Sequence, residues 1–174
     1  AFNCESLQEI FVINEMAHLH GLKANVSVRI NPDIDAHTHK YVTTGLYENK
    51  FGISNHEFDK LIEFIQKSEH INFFGLHFHI GSQITRVEEV FSLECKRVNE
   101  IVKYFESKGL TVNNINLGGG LGVDYDDPDG NPIADFGTWF KAISDNIIRR
   151  ENQAVHVEPG RSLVAQCASL ISRV

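Results

Sequence analysis

No apolar run in the 174 residues approaches the roughly 20 that a membrane-spanning helix needs, and the opening AFNCESLQEI lacks the basic-then-apolar layout of a secretion signal. An excess of basic charge is also missing: 16 Lys and Arg face 23 Asp and Glu, a formal charge of −7. That balance disfavours nucleic acid or an anionic membrane as a bulk partner, so any anion site has to be built locally. Cysteines are scarce. Cys4, Cys95 and Cys167 are odd in number, widely spaced and without a CxxC pair, which points to reduced structural thiols rather than a disulfide framework or a zinc site. No linker, low-complexity stretch or internal repeat divides the chain. What remains, 42% hydrophobic and 22% charged, is the composition of a soluble globular domain, expected in the cytoplasm.

Short β-rich runs at 1–3, 25–30, 72–79, 114–117 and 154–157 alternate with helical periodicity over 6–19, 56–67, 87–108 and 136–149. Ser6 has the character of an N-cap, and Gly21 and Gly109 stand just past helix ends. This alternation predicts an α/β fold with a parallel sheet and right-handed crossovers. An open doubly wound sheet and an arc of a barrel both satisfy it. Two long polar connections, 31–49 and 124–132, follow strand carboxyl ends, the side on which parallel α/β folds carry ligand-binding loops. The chain opens at Ala1 in what reads as a strand's tail, so a piece of something larger is expected.

Three constellations carry chemistry. In FFGLHFH, alternation sends His77 and His79 to one face, with Ser82 just beyond the strand's carboxyl end. Two imidazoles are too few ligands for a metal centre, and a satisfied histidine pair is the plainer alternative. Next, Gly118, Gly119, Gly120 and Gly122 follow a strand directly, a pattern in which backbone N–H groups can cradle phosphate. Neither a Walker A lysine nor GxGxxG spacing is present. Finally, VEPGRS places Glu158 and Arg161 three apart at another strand's end. Glu158 can keep a ring nitrogen protonated, and the fork of Arg161 suits a phosphate or carboxylate. An imidazole face, a phosphate nest and an acid for a heterocyclic nitrogen are what pyridoxal phosphate requires.

HFHIGSQ, NLGGGLGVDY and VEPGRS, preceded by RINPDIDAHTHKYVTTGLYENKFGI, closely resemble the diaminopimelate decarboxylase family over nearly the whole chain. HIGSQ, GGGLG and EPGR are shared more loosely by barrel-fold decarboxylases of ornithine and arginine, while NPD…TG…KFG points to diaminopimelate. The resemblance implies about five β/α units of an alanine-racemase-like, TIM-like barrel, a single partial domain over 1–174. In the family a β-rich domain follows, and a homodimer places active sites at the subunit interface. His79 would stack on the cofactor ring, Ser82 with Gly118, Gly119 and Gly120 would receive its phosphate, and Glu158 would pair with the pyridine nitrogen. Gly160 and Arg161 would complete the phosphate and substrate side, with His77 and Arg29 as supports. The implied reaction converts meso-diaminopimelate to L-lysine and carbon dioxide.

Three features depart from the family pattern. The Schiff-base lysine belongs to a YAxKAN-like motif that is absent; Lys23, in LKAN, precedes its strand and is a decoy, because barrel chemistry occurs at carboxyl ends. Cys4-Glu5-Ser6 echoes a catalytic CES motif but stands before a helix, so Cys4 is assigned no catalysis. Five strands cannot close an eight-stranded barrel, and the isolated chain is expected to be inactive. The rival readings are a decarboxylase of arginine, ornithine or carboxynorspermidine, and a non-catalytic pyridoxal-phosphate-binding homologue. His37, His39 and the acidic run 124–129 are read as solvated loops, with no metal expected.

Overall fold

The computed structural model describes residues 1–34, 51–131, 133–165, 167 and 171–173. His37 and His39, and most of the 31–49 connection, lie outside the described residues. Elements alternate as expected: β1 (Phe2–Cys4), α1 (Leu7–Leu19), β2 (Ala24–Arg29), a 3-10 turn (Asn55–Glu57) leading into α2 (Phe58–Lys67), β3 (Ile71–His77), α3 (Val87–Ser107), β4 (Asn114–Asn116), α4 (Phe136–Asn146), β5 (Ala154–His156) and α5 (Arg161–Val164).

Local chemistry sets the helix boundaries. Ser6 caps α1 in a full capping box, its Oγ accepting the Glu9 N–H at 3.2 Å while the Glu9 carboxylate accepts the Ser6 N–H at 3.1 Å. Gly21 (φ +63°) and Gly109 (φ +85°) provide the left-handed turns that end α1 and α3. α4 stops at Asn146, three residues short of the expected 149. The reason is Asn99 on α3: its Nδ2 donates to the Asn146 carbonyl at 2.8 Å and its Oδ1 accepts the Ile148 N–H at 2.9 Å, drawing both groups out of the helix.

The five strands are all parallel and ordered β1-β2-β3-β4-β5, with no reversal. A doubly wound sheet reverses its order at a switch point, whereas consecutive crossovers of one hand place the helices on a single side. The fold is therefore an arc of a (β/α) barrel, with β1 and β5 as its edges among the described residues. Val26, Val28, Ile30, Leu76, Phe78, Ile115 and Leu117 are buried, as are Ile10, Leu61, Phe91, Phe105 and Trp139 of the helices, and all belong to one hydrophobic core. The strands' other face is polar. One rung across it runs Arg29, His77, Asn116, His156.

His77 reaches that rung through an irregularity. Val26 pairs with Phe73 but Ser27 pairs with Gly75, so Phe74 is an extra residue in β3. Before the bulge, Ile71 and Phe73 pack inward; after it, Leu76 and Phe78 do, and Gly75 and His77 turn to the polar face. Gly75 fits there because a Cβ would lie 2.1 Å from the Asn114 carbonyl oxygen.

Candidate functional site

The polar face ends in a cluster at the carboxyl ends of β3, β4 and β5. Glu158 lies two residues beyond β5, and its N–H donates to the Gly118 carbonyl at 2.6 Å. The side chain accepts from Asn116 Nδ2 at 2.8 Å on Oε1 and stands 3.4 Å from His77 Nε2 on Oε2. A carboxylate only accepts, which assigns the proton of the His77 bond to Nε2. Burial pushes the Glu158 pKa up, but the Asn116 hydrogen bond outweighs it with help from His77 and His79, and the group is held below the ordinary 4.5. His77 is buried, and that burial lowers its pKa below 6.5 despite the pull of Glu158. At neutral pH the ring is therefore an uncharged donor, so the Asn116 bond counts for more at Glu158 than any charge on His77.

The glycine run is wedged between two strand extensions. A Cβ on Gly118 (φ +68°) would sit 2.3 Å from the Phe78 carbonyl oxygen, and one on Gly119 would sit 2.1 Å from that of Glu158. Close backbone approach, not mere flexibility, is what these positions demand. The Gly118 N–H donates to Asn116 Oδ1 at 2.9 Å and the Gly119 N–H to His79 Nδ1 at 3.3 Å. The second bond leaves the His79 proton on Nε2. Gly120 packs against the Gly81 carbonyl, and Ile84 N–H donates to Gly120 O at 2.8 Å, which seats the segment bearing Ser82 beside the run.

Arg161 opens α5 just after Gly160, which faces open space. One guanidinium nitrogen donates to Ser82 Oγ and another to the Tyr125 hydroxyl, each at 3.1 Å. His79, Ser82, Gly118, Gly119, Gly120, Glu158, Gly160 and Arg161 thus gather at one mouth from positions up to 82 residues apart in sequence (161 − 79). Arg29 sits beside His77 in register and pairs with Glu5 at 2.5 Å. Sequence reasoning assigned no role to Asn116 or Tyr125. Strand alternation placed Asn116 on the polar face and so held a signal, whereas the reach of Tyr125 to Arg161 had none.

The excluded residues lie elsewhere or are chemically idle. Lys23 is exposed before the amino end of β2, opposite the cluster. Cys4 is buried; burial, with Glu9 nearby, pushes its thiol up to about 11, so it stays protonated. The acidic stretch is tied by its own turns: Asp124 Oδ1 accepts the N–H groups of Asp126 at 2.9 Å and Asp127 at 3.0 Å.

No helix among the described residues is long and apolar enough to cross a membrane. A Bacteroides thetaiotaomicron diaminopimelate decarboxylase is 47% identical over 99% of this chain, which spans 45% of that relative. A Helicobacter pylori diaminopimelate decarboxylase variant, solved in complex with L-lysine, superposes with a TM-score of 0.78 at 35% identity, covering 94% of this chain and 40% of that one. An arginine decarboxylase from Paramecium bursaria Chlorella virus follows the same path at 25% identity and a TM-score of 0.63, over 91% of this chain and 39% of that one. Residues 1–165 match the family described as pyridoxal-dependent decarboxylase, pyridoxal binding domain, and the chain belongs to that family.

Proposed function

We propose that this chain supplies the cofactor-holding side of a decarboxylase that converts meso-diaminopimelate to L-lysine and carbon dioxide. The observation that carries the reading is the union, across one glycine turn, of an acid end at Glu158 with a cationic, hydroxyl-bearing end at Arg161 and Ser82. Pyridoxal phosphate fits such a pair of ends, being an aromatic ring with a basic nitrogen and an anionic arm. When bound, it supplies an electron sink for the pair left on the α-carbon as carbon dioxide departs.

The chain's own residues have distinct tasks. Ionised Glu158 accepts a hydrogen bond from the ring nitrogen and favours a proton at that atom. His79, oriented by the Gly119 N–H, offers its flat face to the ring. Ser82, Gly118, Gly119, Gly120 and Gly160 shape the phosphate cradle, and Arg161 faces an anionic group, phosphate or substrate carboxylate. His77 and Arg29 support this face from below. Neither Lys23 nor Cys4 takes part.

The chain as one partial barrel domain, a homodimer and a cytoplasmic location belong to the same proposal. Relatives named for diaminopimelate support the substrate, and the likeness to an arginine decarboxylase makes other basic amino acids the competing class. The test uses the full-length protein: visible absorbance with pyridoxal phosphate, then product analysis with meso-diaminopimelate, L-arginine and L-ornithine. Lysine formation is expected. Preferential release of agmatine or putrescine would move the protein to the neighbouring group, and absence of cofactor absorbance would refute the reading.

A further inference from the structure

Asn116, the last residue of β4, stands between the two ends of this site and is bonded at both atoms of its amide. Nδ2 donates to Glu158 Oε1 at 2.8 Å, and Oδ1 accepts the Gly118 N–H at 2.9 Å. A side-chain amide donates at one atom and accepts at the other, whereas an ionised aspartate only accepts and alanine does neither. The Glu158 N–H donates in turn to the Gly118 carbonyl at 2.6 Å, closing a loop that ties the acid's backbone and its carboxylate to the same turn. Gly118 holds that turn in the left-handed region, at φ +68°.

Other groups facing the carboxylate hold it less firmly. His77 Nε2 lies 3.4 Å from Oε2, His79 turns its Nδ1 to the Gly119 N–H, and Arg29 pairs with Glu5. With Asn116 removed, the long His77 contact is what remains of the polar bonds described for the Glu158 side chain, and the carboxylate can rotate.

We propose that Asn116 is a positioning residue whose single amide locks the Glu158 carboxylate to the glycine turn, so that the acid and the anion cradle keep one fixed spacing. The proposal rests on the cofactor reading above only for its consequence in catalysis; the tether itself concerns this chain's own residues.

Two substitutions separate the halves of the amide. Asn116→Ala removes both bonds. Asn116→Asp keeps an acceptor for the Gly118 N–H but sets a like charge against Glu158 where a donor stood. In the full-length, cofactor-free protein, carboxyl-labelled glutamate followed by NMR reads the Glu158 titration directly. Its midpoint should rise in Asn116→Ala and rise further in Asn116→Asp. In the loaded enzyme kcat should fall roughly tenfold to a hundredfold with KM little changed, the size of one lost charge-assisted bond, and the acid limb of the kcat profile should move up in the same order.

A role limited to supporting the turn predicts the opposite ranking, because aspartate also caps such turns: Asn116→Asp would behave like the parent and Asn116→Ala would not. That ranking, or an unmoved Glu158 midpoint in both variants, overturns the proposal. If Asn116→Ala does not fold, Asn116→Asp against the parent still decides, since it keeps the turn's acceptor. Loss of the cofactor reading is distinguishable: midpoints that shift as expected in a protein that never binds pyridoxal phosphate leave the tether standing and remove the function.

Discussion

Glu94 lies in the middle of α3 with 0% of its surface exposed, and neither carboxylate oxygen has a hydrogen-bond partner among the described residues. Burial without a counter-charge raises its pKa well above 4.5, so the fold carries it protonated under conditions where the unfolded chain ionises it. Above pH 4.5 the unfolded state has therefore lost a proton that the native state keeps. Stability falls as pH rises, by about 1.4 kcal/mol per unit, until the native group itself ionises. Between pH 5 and 7 that amounts to at most about 3 kcal/mol, reached only when the native carboxyl stays neutral throughout. Glu94→Met matches the volume and removes both the titration and the unsatisfied oxygens, whose desolvation costs on the order of 1–3 kcal/mol. Glu94→Gln removes the titration alone. Urea unfolding at several pH values should show the stability gain of Glu94→Met widening from pH 5 to 7, with the Glu94→Gln difference widening in parallel from a less favourable start. A gain that stays constant with pH in both variants would refute the assignment of a neutral, buried carboxyl.

Other outcomes follow from the same geometry. Gly119→Ala should lose about 1–3 kcal/mol and weaken cofactor binding, because its Cβ would meet the Glu158 carbonyl oxygen at 2.1 Å, while Gly160→Ala should leave the melting temperature unchanged because nothing lies within 4 Å. A thiol reagent should label Cys167 in the native protein and spare buried Cys4 and Cys95, whose thiols burial pushes up to about 11 and about 12; labelling of Cys95 without unfolding would contradict its packing. Burial holds His77 below 6.5, so below that pH the unfolded chain takes up the proton first and His77 contributes a loss of stability on acidification. His77→Gln should reduce that part of the pH dependence, measured as the difference in melting temperature between pH 7 and 5.5.

Much of this protein was determined by its sequence alone. Alternation with period two placed His77 and His79 on one face, helical periodicity and glycine stops located four main helices, and three short motifs at strand ends marked candidate residues, the full set of eight coming from the family resemblance those motifs carry. These features are local: each depends on backbone geometry within a few residues. The tertiary structure decided what local patterns cannot. Strand order chose the barrel arc over the doubly wound sheet, and the Phe74 bulge brought His77 into register with Arg29 and Asn116. Asn99 ended α4 early, Asn116 joined Glu158 to the glycine turn, and Tyr125 reached Arg161. Each of these joins groups 36 to 49 residues apart in the chain. Such contacts depend on how strands register and helices pack, which is a property of the assembled sheet and not of any one segment of sequence.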